Sequence, residues 1–415
     1  CREVGRSCFE VDARETKLLL DCGTSNPVRG HPLVPPIKPN GKVDAIILSH
    51  AHLDHTGYIP GIYKHQHVEA YATPPSIPIS QLLWFDTIKV STIEGVSAPF
   101  SERDANSACK HMQPINYGEQ FDFESGVSFK FTDAAHISGS SQVTVRDGKK
   151  TLLYSGDFKM EQTRLLDACK PAEKNVDALL VESTYYPRYH PPRKKIEQDF
   201  IDSVKQGLDD GGNVLVPAFA VGRTQEIMMI LNAYNIRAPI YLDGMGNKTT
   251  QITSDFSSYL RSEKEFFKAL DQVYSVEKTD SKKKIAREEG NVIIATAGML
   301  DGGPALTYLR EMNQLNKGTI ILSGYQAEGS NGRNLIQTGI IKDDGKKVKV
   351  RINVKWHSFS AHAGTKDLIE YVKQVNAQKV FCIHGDEQTC ISFADYLKKQ
   401  GFDASAPKAG MVSNI

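Results

Sequence analysis

Short, uninterrupted apolar runs recur along the chain, each followed by small or polar residues. Leu18-Leu19-Leu20, Ala45-Ile46-Ile47-Leu48, Leu152-Leu153-Tyr154, Ala178-Leu179-Leu180-Val181 and Val214-Leu215-Val216 come first. Pro239-Ile240-Tyr241-Leu242, Val292-Ile293-Ile294-Ala295, Ile320-Ile321-Leu322 and Val380-Phe381-Cys382-Ile383 follow. Such runs leave no polar face, so each predicts a strand covered on both sides, as in layered α/β folds. Helical periodicity lies between some of them. Residues 195–208 place Ile196, Phe200, Ile201, Val204 and Leu208 on one stripe, and residues 365–375 do the same with Leu368, Ile369, Val372 and Val375. Residues 127–132 and 141–146 read as antiparallel partners, so a mixed α/β/β/α sandwich suits the first part better than a doubly wound sheet.

Two joints interrupt this pattern. Tyr186-Pro187-Arg188-Tyr189-His190-Pro191-Pro192-Arg193 holds three prolines in eight residues, the composition of a linker. Between 342 and 355, Lys342, Lys346, Lys347, Lys349, Arg351 and Lys355 stand against Asp343 and Asp344, a local net charge of +4. The expected division is a first domain over 1–187, an inserted α/β domain over 188–351, and a return to the first domain over 352–415. A length of 415 residues accommodates this, and 40% apolar with 24% charged residues is a globular composition. No apolar run reaches the roughly 18 residues that a membrane span needs. Seven scattered cysteines with no C-x-x-C pair argue against a disulfide framework or a cysteine zinc site, and predict a reducing, cytoplasmic setting. A net charge of +1 does not single out a nucleic-acid partner, although such an enzyme need be basic only where its substrate lies.

Ser49-His50-Ala51-His52-Leu53-Asp54-His55-Thr56-Gly57 carries the chemistry. It follows a buried strand directly, at the carboxyl end where α/β sheets place their sites. Three imidazoles and a carboxylate within six residues are costly to bury unless something pairs with them. A solvated loop accounts for one histidine, not for this spacing. Neutral imidazoles with a carboxylate suit zinc, and two metals could each keep a position for water. One loop cannot complete two coordination shells. Further candidates stand at strand ends: Asp21, His136, Asp157 and His384.

Together, Asp21, the stretch from His50 to His55, His136 and Asp157 resemble the successive motifs of the metallo-β-lactamase superfamily. Glu182-Ser183-Thr184-Tyr185, Phe359-Ser360-Ala361-His362 and Ile383-His384-Gly385 resemble the signature motifs of its β-CASP nuclease branch. Residues 216–226, 298–304 and 323–329 match stretches typical of that branch. The resemblance covers nearly the whole chain and points to archaeal and bacterial relatives of the cleavage subunit of the eukaryotic polyadenylation factor. It implies a metallo-β-lactamase αββα sandwich with an inserted α/β β-CASP domain, and zinc-dependent hydrolysis of single-stranded RNA in RNA processing or decay.

By that resemblance, His50, His52 and His136 would hold one zinc ion, and Asp54, His55 and His384 a second. Asp157 would bridge them, and Asp21 would orient a ligand histidine. Manganese could take the same donors. Two such ions acidify a shared water and neutralise charge on the phosphoryl oxygens. Asp54 and Asp157 would thus serve catalysis as well as binding. His362, held by Glu182, would be the general acid for the leaving oxygen. A histidine at the position of His384 accompanies the RNA-cleaving members. Arg223, Ser323, Lys346, Lys347 and Lys349 are candidate RNA contacts, and the basic stretches 188–195, 282–287 and 342–355 could line a channel. Residues 406–412 resemble the tail through which archaeal relatives pair, which implies a homodimer, within a larger RNA-processing assembly or outside one. Endonuclease and 5′→3′ exonuclease activity both occur on such a site. Two rivals share the fold: a hydrolase of a small ester, thioester or phosphodiester, and a non-catalytic RNA-binding scaffold. The first would lack the inserted domain and the Glu182/His362 pair, and the second would be missing metal ligands.

Overall fold

A computed structural model describes residues 1–25, 41–277 and 279–415. The chain divides into two compact units, one of Cys1–Gln162, Ala168–Tyr189 and Ala361–Ile415, the other of Thr163–Asp167 and His190–Ser360.

The first unit contains two sheets. In the five-stranded sheet, Phe9–Ala13, Thr16–Leu20, Ala45–Ile47, Glu69–Ala72 and Met112–Pro114 lie in that order, parallel after the first pair. The seven-stranded sheet runs Ala404–Ser405, Lys379–Ile383, Ala178–Glu182, Thr151–Tyr154, Ser141–Arg146, Ser128–Asp133, Gln120–Asp122. Its first four strands are parallel and the rest antiparallel. Strand alternation explains the continuous apolar runs. Leu18, Leu20, Ala45 and Ile47 meet Phe129, Phe131, Val143 and Leu152 in a core between the sheets. Leu19, Ile46, Ala70 and Ala72 point the other way, onto Ile59, Trp84 and Ala105 from the helices Ile59–Ile62, Ser76–Ile93 and Glu102–Lys110. On the far side of the second sheet, helix Thr365–Val375 buries Leu368, Tyr371, Val372 and Val375, with Tyr371 against Phe158 at 4.3 Å between ring centres. Helix Glu387–Lys399 buries Phe393 and Leu397. The layers are α/β/β/α, as the apolar pattern predicts.

The second unit is an all-parallel sheet in the order Val273–Val276, Ile240–Asp243, Val292–Ala295, Val214–Pro217, Thr319–Leu322, Asn353–Trp356. A hairpin of Ile340–Asp343 and Lys346–Lys349 accompanies it. The boundaries differ from the expected 188 and 351. Asn353–Trp356 pairs with Thr319–Leu322, which carries this unit on to Ser360. The short stretch Thr163–Asp167 also belongs to it. The Glu226 carboxylate accepts the N–H groups of Arg164 at 3.0 Å and Leu165 at 2.8 Å, and the Arg261 N–H donates to the Leu165 carbonyl at 3.0 Å. None of the cysteines is in a disulfide. Among the described residues, no helix is long and apolar enough to cross a membrane.

Candidate metal centre

The histidine loop is held by backbone contacts that admit no side chain at one point. Asp21 closes strand Thr16–Leu20 in a left-handed conformation (φ 58°), which a short polar side chain tolerates. The next turn presses Gly23 against Asp54, where a Cβ would stand 1.8 Å from the Asp54 carbonyl oxygen. That approach lets the Cys22 N–H donate to the His55 carbonyl at 2.7 Å, and the Thr24 N–H to the Leu53 carbonyl at 2.8 Å. His384, after strand Lys379–Ile383, and Ala135, before His136, also have positive φ, 51° and 58°. Gly156 (φ 53°) makes the turn that presents Asp157, where a Cβ would meet the Ser141 carbonyl at 2.7 Å. Left-handed residues cost of order 1 kcal/mol each and persist where the surroundings over-determine them.

All the candidate ligands fall in the first unit. His50, His52 and His136 form one group, and Asp54, His55, Asp157 and His384 a second; within each, the facing donor atoms lie within 4.8 Å of one another. His52 Nδ1 is 3.0 Å from His136 Nε2. His384 Nε2 is 3.3 Å from His55 Nε2 and 3.2 Å from Asp54 Oδ2. Asp157 Oδ2 faces both groups, at 3.4 Å from His55 Nε2, 3.7 Å from His50 Nε2 and 3.8 Å from His136 Nε2.

The outer ring nitrogens have protein partners, which sets the tautomers. His55 Nδ1–H donates to Asp21 at 2.7 Å, and His136 Nδ1–H to the Ala361 carbonyl at 3.0 Å. His50 Nδ1 faces the Ser49 hydroxyl and His384 Nδ1 the Thr184 hydroxyl, each at 3.1 Å. The Nε2 atoms of these four rings are thereby turned toward the centre. Asp21 is fully buried, yet it accepts from the Ser49 N–H, the Ser49 hydroxyl, the Tyr154 hydroxyl and His55, all at 2.7 Å. Asp157 differs. Its Oδ1 and the Nε2 of His50 are buried without a hydrogen-bond partner; His384 Nδ1 comes within 3.2 Å of that oxygen but is not aligned to donate. Buried atoms left in this way are costly unless a cation takes their lone pairs.

Charge agrees with geometry. Burial pushes His50 and His136 well below the ordinary imidazole range and His52 down to about 4, so all three are neutral donors. Burial also opposes ionisation of Asp54 and Asp157, but His55 and His384 outweigh it and hold both carboxyls well below their usual range. Burial disfavours charge on His55 as well, yet Asp157, Asp54 and Asp21 overcome it and draw positive charge to that ring. Neutral imidazoles at His50, His52 and His136, ionised carboxylates and unpartnered inward atoms are the donor set of a zinc-like divalent cation, which would displace the proton drawn to His55, so these residues fit a metal.

Beside this set, His362 Nδ1 lies 3.2 and 3.1 Å from the two oxygens of Glu182, which is 1% exposed. Glu182 is itself fixed by the Phe158 N–H at 3.1 Å. Burial disfavours charge on His362, but Glu182 and Asp157 outweigh it and raise its pKa to about 9, so the ring is protonated at neutral pH.

The expected RNA contacts lie in the second unit and differ among themselves. Arg223 begins helix Arg223–Ala233, its guanidinium 5.8 Å from the centre of the Phe359 ring. Ser323 is buried and its hydroxyl donates to the Pro217 carbonyl at 2.8 Å, so it is spent inside the sheet. Lys346, Lys347 and Lys349 are exposed on the hairpin, with Lys342 directly opposite Lys347. The other two basic stretches are largely paired. Arg193 contacts Glu197 and Glu226, Lys282 lies 3.2 Å from Asp243, and Arg287 lies 2.9 Å from Glu311. Sequence reasoning missed the supporting residues Tyr154 and Thr184 as such. They reach Asp21 and His384 across 133 and 200 positions, and no local spacing encodes that.

The chain is similar to known families and proteins along nearly its whole length. Residues 16–200 match the family described as Beta-lactamase superfamily domain, residues 224–335 the Beta-Casp domain, and residues 347–407 the Zn-dependent metallo-hydrolase RNA specificity domain. The chain is 37% identical to "Probable RNase MJ4" of Methanocaldococcus jannaschii, over 98% of this chain and 96% of that protein. It is 35% identical to "Transcription termination factor FttA" of the same organism, over 96% of this chain and 68% of that one. "RNase aCSPSF2" of Saccharolobus solfataricus is 34% identical, over 100% of this chain and 84% of its own. A crystal structure of a protein of unknown function from Enterococcus faecalis V583 shares the fold, with a TM-score of 0.64 at 16% identity over 99% of this chain and 96% of that one.

Proposed function

The chain belongs to the β-CASP branch of the metallo-β-lactamase superfamily, and on that footing we propose that it is a ribonuclease that hydrolyses phosphodiester bonds of single-stranded RNA. The observation that carries this reading is the set of inward-facing imidazoles and carboxylates with unpartnered atoms at His50 and Asp157. His50, His52 and His136 would hold one zinc ion, Asp54, His55 and His384 another, and Asp157, which faces both groups, would bridge them. Manganese would suit the same donors. When bound, the ions acidify a water and offset charge on the phosphoryl oxygens.

The remaining steps belong to side chains. Asp54 and Asp157 stay ionised, so each can accept a hydrogen bond from the attacking water and orient it. The 3′-oxygen that departs from phosphorus needs a proton. His362 is protonated at neutral pH and gripped through Nδ1 by Glu182, so it can deliver that proton from Nε2. RNA is favoured over DNA by relatives named as ribonucleases and by the match to an RNA specificity domain. Arg223, Lys346, Lys347 and Lys349 would contact the RNA backbone. Exposed Met411 and Val412 in the C-terminal tail support pairing into a homodimer through residues 406–412.

The test is a time course on single-stranded RNA labelled in parallel at the 5′ and 3′ ends, with a chelator control and a matched DNA. Chelator-sensitive cleavage of RNA alone is the expected result. Early internal fragments would mark an endonuclease, and immediate mononucleotides an exonuclease. No cleavage of either polymer by metal-loaded protein would overturn the reading.

A further inference from the structure

The ring of His362 is gripped by Glu182; its main chain is held by a residue with no part assigned so far. Lys159 stands two positions beyond Asp157, in the segment after strand Thr151–Tyr154. Its N–H donates to the Ala134 carbonyl at 3.0 Å, and its own carbonyl accepts from the Cys169 N–H at 2.9 Å, so its backbone is fixed from both sides. Its side chain is 3% exposed. Lysine is rarely buried to that extent, because removing an ammonium from water is costly unless polar groups replace the water.

Two polar groups stand close to the ammonium, whose charge also favours the ionised form of Asp367. Lys159 Nζ donates to the His362 carbonyl at 3.4 Å and lies 3.5 Å from Glu161 Oε2. The carbonyl one residue earlier, Ala361, accepts from His136 Nδ1 at 3.0 Å. Two consecutive carbonyls at His362 are therefore held, one by an imidazole and one by an ammonium, while the ring is held by a carboxylate. At 3.4 Å the attraction is chiefly that of a charge for a carbonyl dipole, which a buried setting screens less than water would. A solvent-exposed lysine would supply no such restraint, and an apolar side chain of equal size would fill the space without it.

We propose that Lys159 is a positioning residue for proton delivery: its buried ammonium fixes the main chain at His362 and so keeps the imidazole aligned with Glu182 and the leaving oxygen. The proposal rests on the reading of His362 as general acid. Misplacement of a reacting group by about 1 Å can cost on the order of a hundredfold in rate.

The test compares Lys159→Met, which keeps the length and loses the charge, with Lys159→Gln, which keeps an N–H donor, and with His362→Ala. Metal content and Tm are measured for each, and kcat and KM on two substrates. One is RNA. The other is bis(p-nitrophenyl) phosphate, whose nitrophenolate departs without needing a proton. Lys159→Met is expected to lower kcat on RNA by roughly ten- to a hundredfold, with KM, metal content and nitrophenyl ester hydrolysis unchanged. Lys159→Gln should fall between it and the parent, and the Lys159→Met/His362→Ala double variant should be no slower on RNA than His362→Ala alone. Equal losses on both substrates, loss of metal or folding in both lysine variants, or undiminished RNA cleavage would overturn the proposal. His362→Ala separates the two failures. If it is selective for RNA and Lys159→Met is not, only the lysine proposal falls; if it leaves RNA cleavage intact, the general-acid reading falls and takes the proposal with it.

Discussion

At the carboxyl ends of the strands in the second unit, several polar groups find one another. The Ser323 hydroxyl donates to the Pro217 carbonyl at 2.8 Å, the Tyr308 hydroxyl donates to Asp243 at 2.8 Å, and the Asn331 N–H donates to Asp301 at 2.8 Å. In the first unit, strand ends carry Asp21, the histidine loop, Asp157 and His384, and two of their atoms, His50 Nε2 and Asp157 Oδ1, are buried without partners. Both units bury some polar atoms without partners, Gln326 Oε1 in the second among them; the first differs in that its leftover atoms His50 Nε2 and Asp157 Oδ1 belong to groups of facing metal-type donors. The same distinction holds inside the first unit. Asp21 has four donors and behaves as scaffold, whereas Asp157 keeps an unpartnered oxygen and behaves as a ligand. Counting carboxylates would treat the two alike; accounting for their hydrogen bonds separates them.

The sharpest way to break that contrast is Asp157→Ala. Metal analysis should find about two ions per parent chain and one or none in the variant, with RNA cleavage abolished. Unchanged metal content would remove Asp157 from the bridging position. A smaller effect is expected at the satisfied carboxylate. Asp21→Asn keeps the size but offers an amide N–H₂ where four donors already point, and should lower metal affinity or activity by roughly ten- to a hundredfold. Titration with zinc against a competing chelator would measure it, and parent-like affinity would mean that Asp21 does not orient His55. The smallest effect belongs to the second unit. Charge reversal at Lys346, Lys347 and Lys349 should weaken RNA binding similarly for all sequences and reduce the slope of log K against log salt by roughly two to three. Hydrolysis of a nitrophenyl ester and metal content should not change. An unaltered salt slope would show that the hairpin cations are merely solvated.

The layers of the first unit were legible because a strand buried on both faces writes itself as a continuous apolar run, and Leu18-Leu19-Leu20 does so within three residues. The histidine loop was legible for a similar reason: its donors lie six residues apart or less. Asp21, His136, Asp157 and His384 stood out as polar residues at strand ends, but only folding brings them to within a few ångströms of one another. What supports them was not legible. Lys159 acts on a carbonyl 203 positions away, and nothing in its neighbourhood distinguishes it from a surface lysine. The basic stretch around Arg193 looked like a polyanion contact, yet Arg193 lies against Glu197 and Glu226, partners that sequence spacing does not reveal. The second domain joint was misplaced because the charge cluster at 342–355 spans a hairpin and a strand that both remain in the second unit.

The chain passes from one unit to the other at 162/163, 167/168, 189/190 and 360/361, so the inserted body is sewn in twice rather than once. A graft that moved only residues 190–360 to another host would leave Thr163–Asp167 behind, and the buried Glu226 would lose the N–H groups of Arg164 and Leu165. Recombination between relatives at the prolines near 190 would meet the same difficulty, since the five-residue stitch and the carboxylate it satisfies would come from different parents. Inheritance of the insert as a working module therefore has to include a piece of sequence that lies outside its apparent borders.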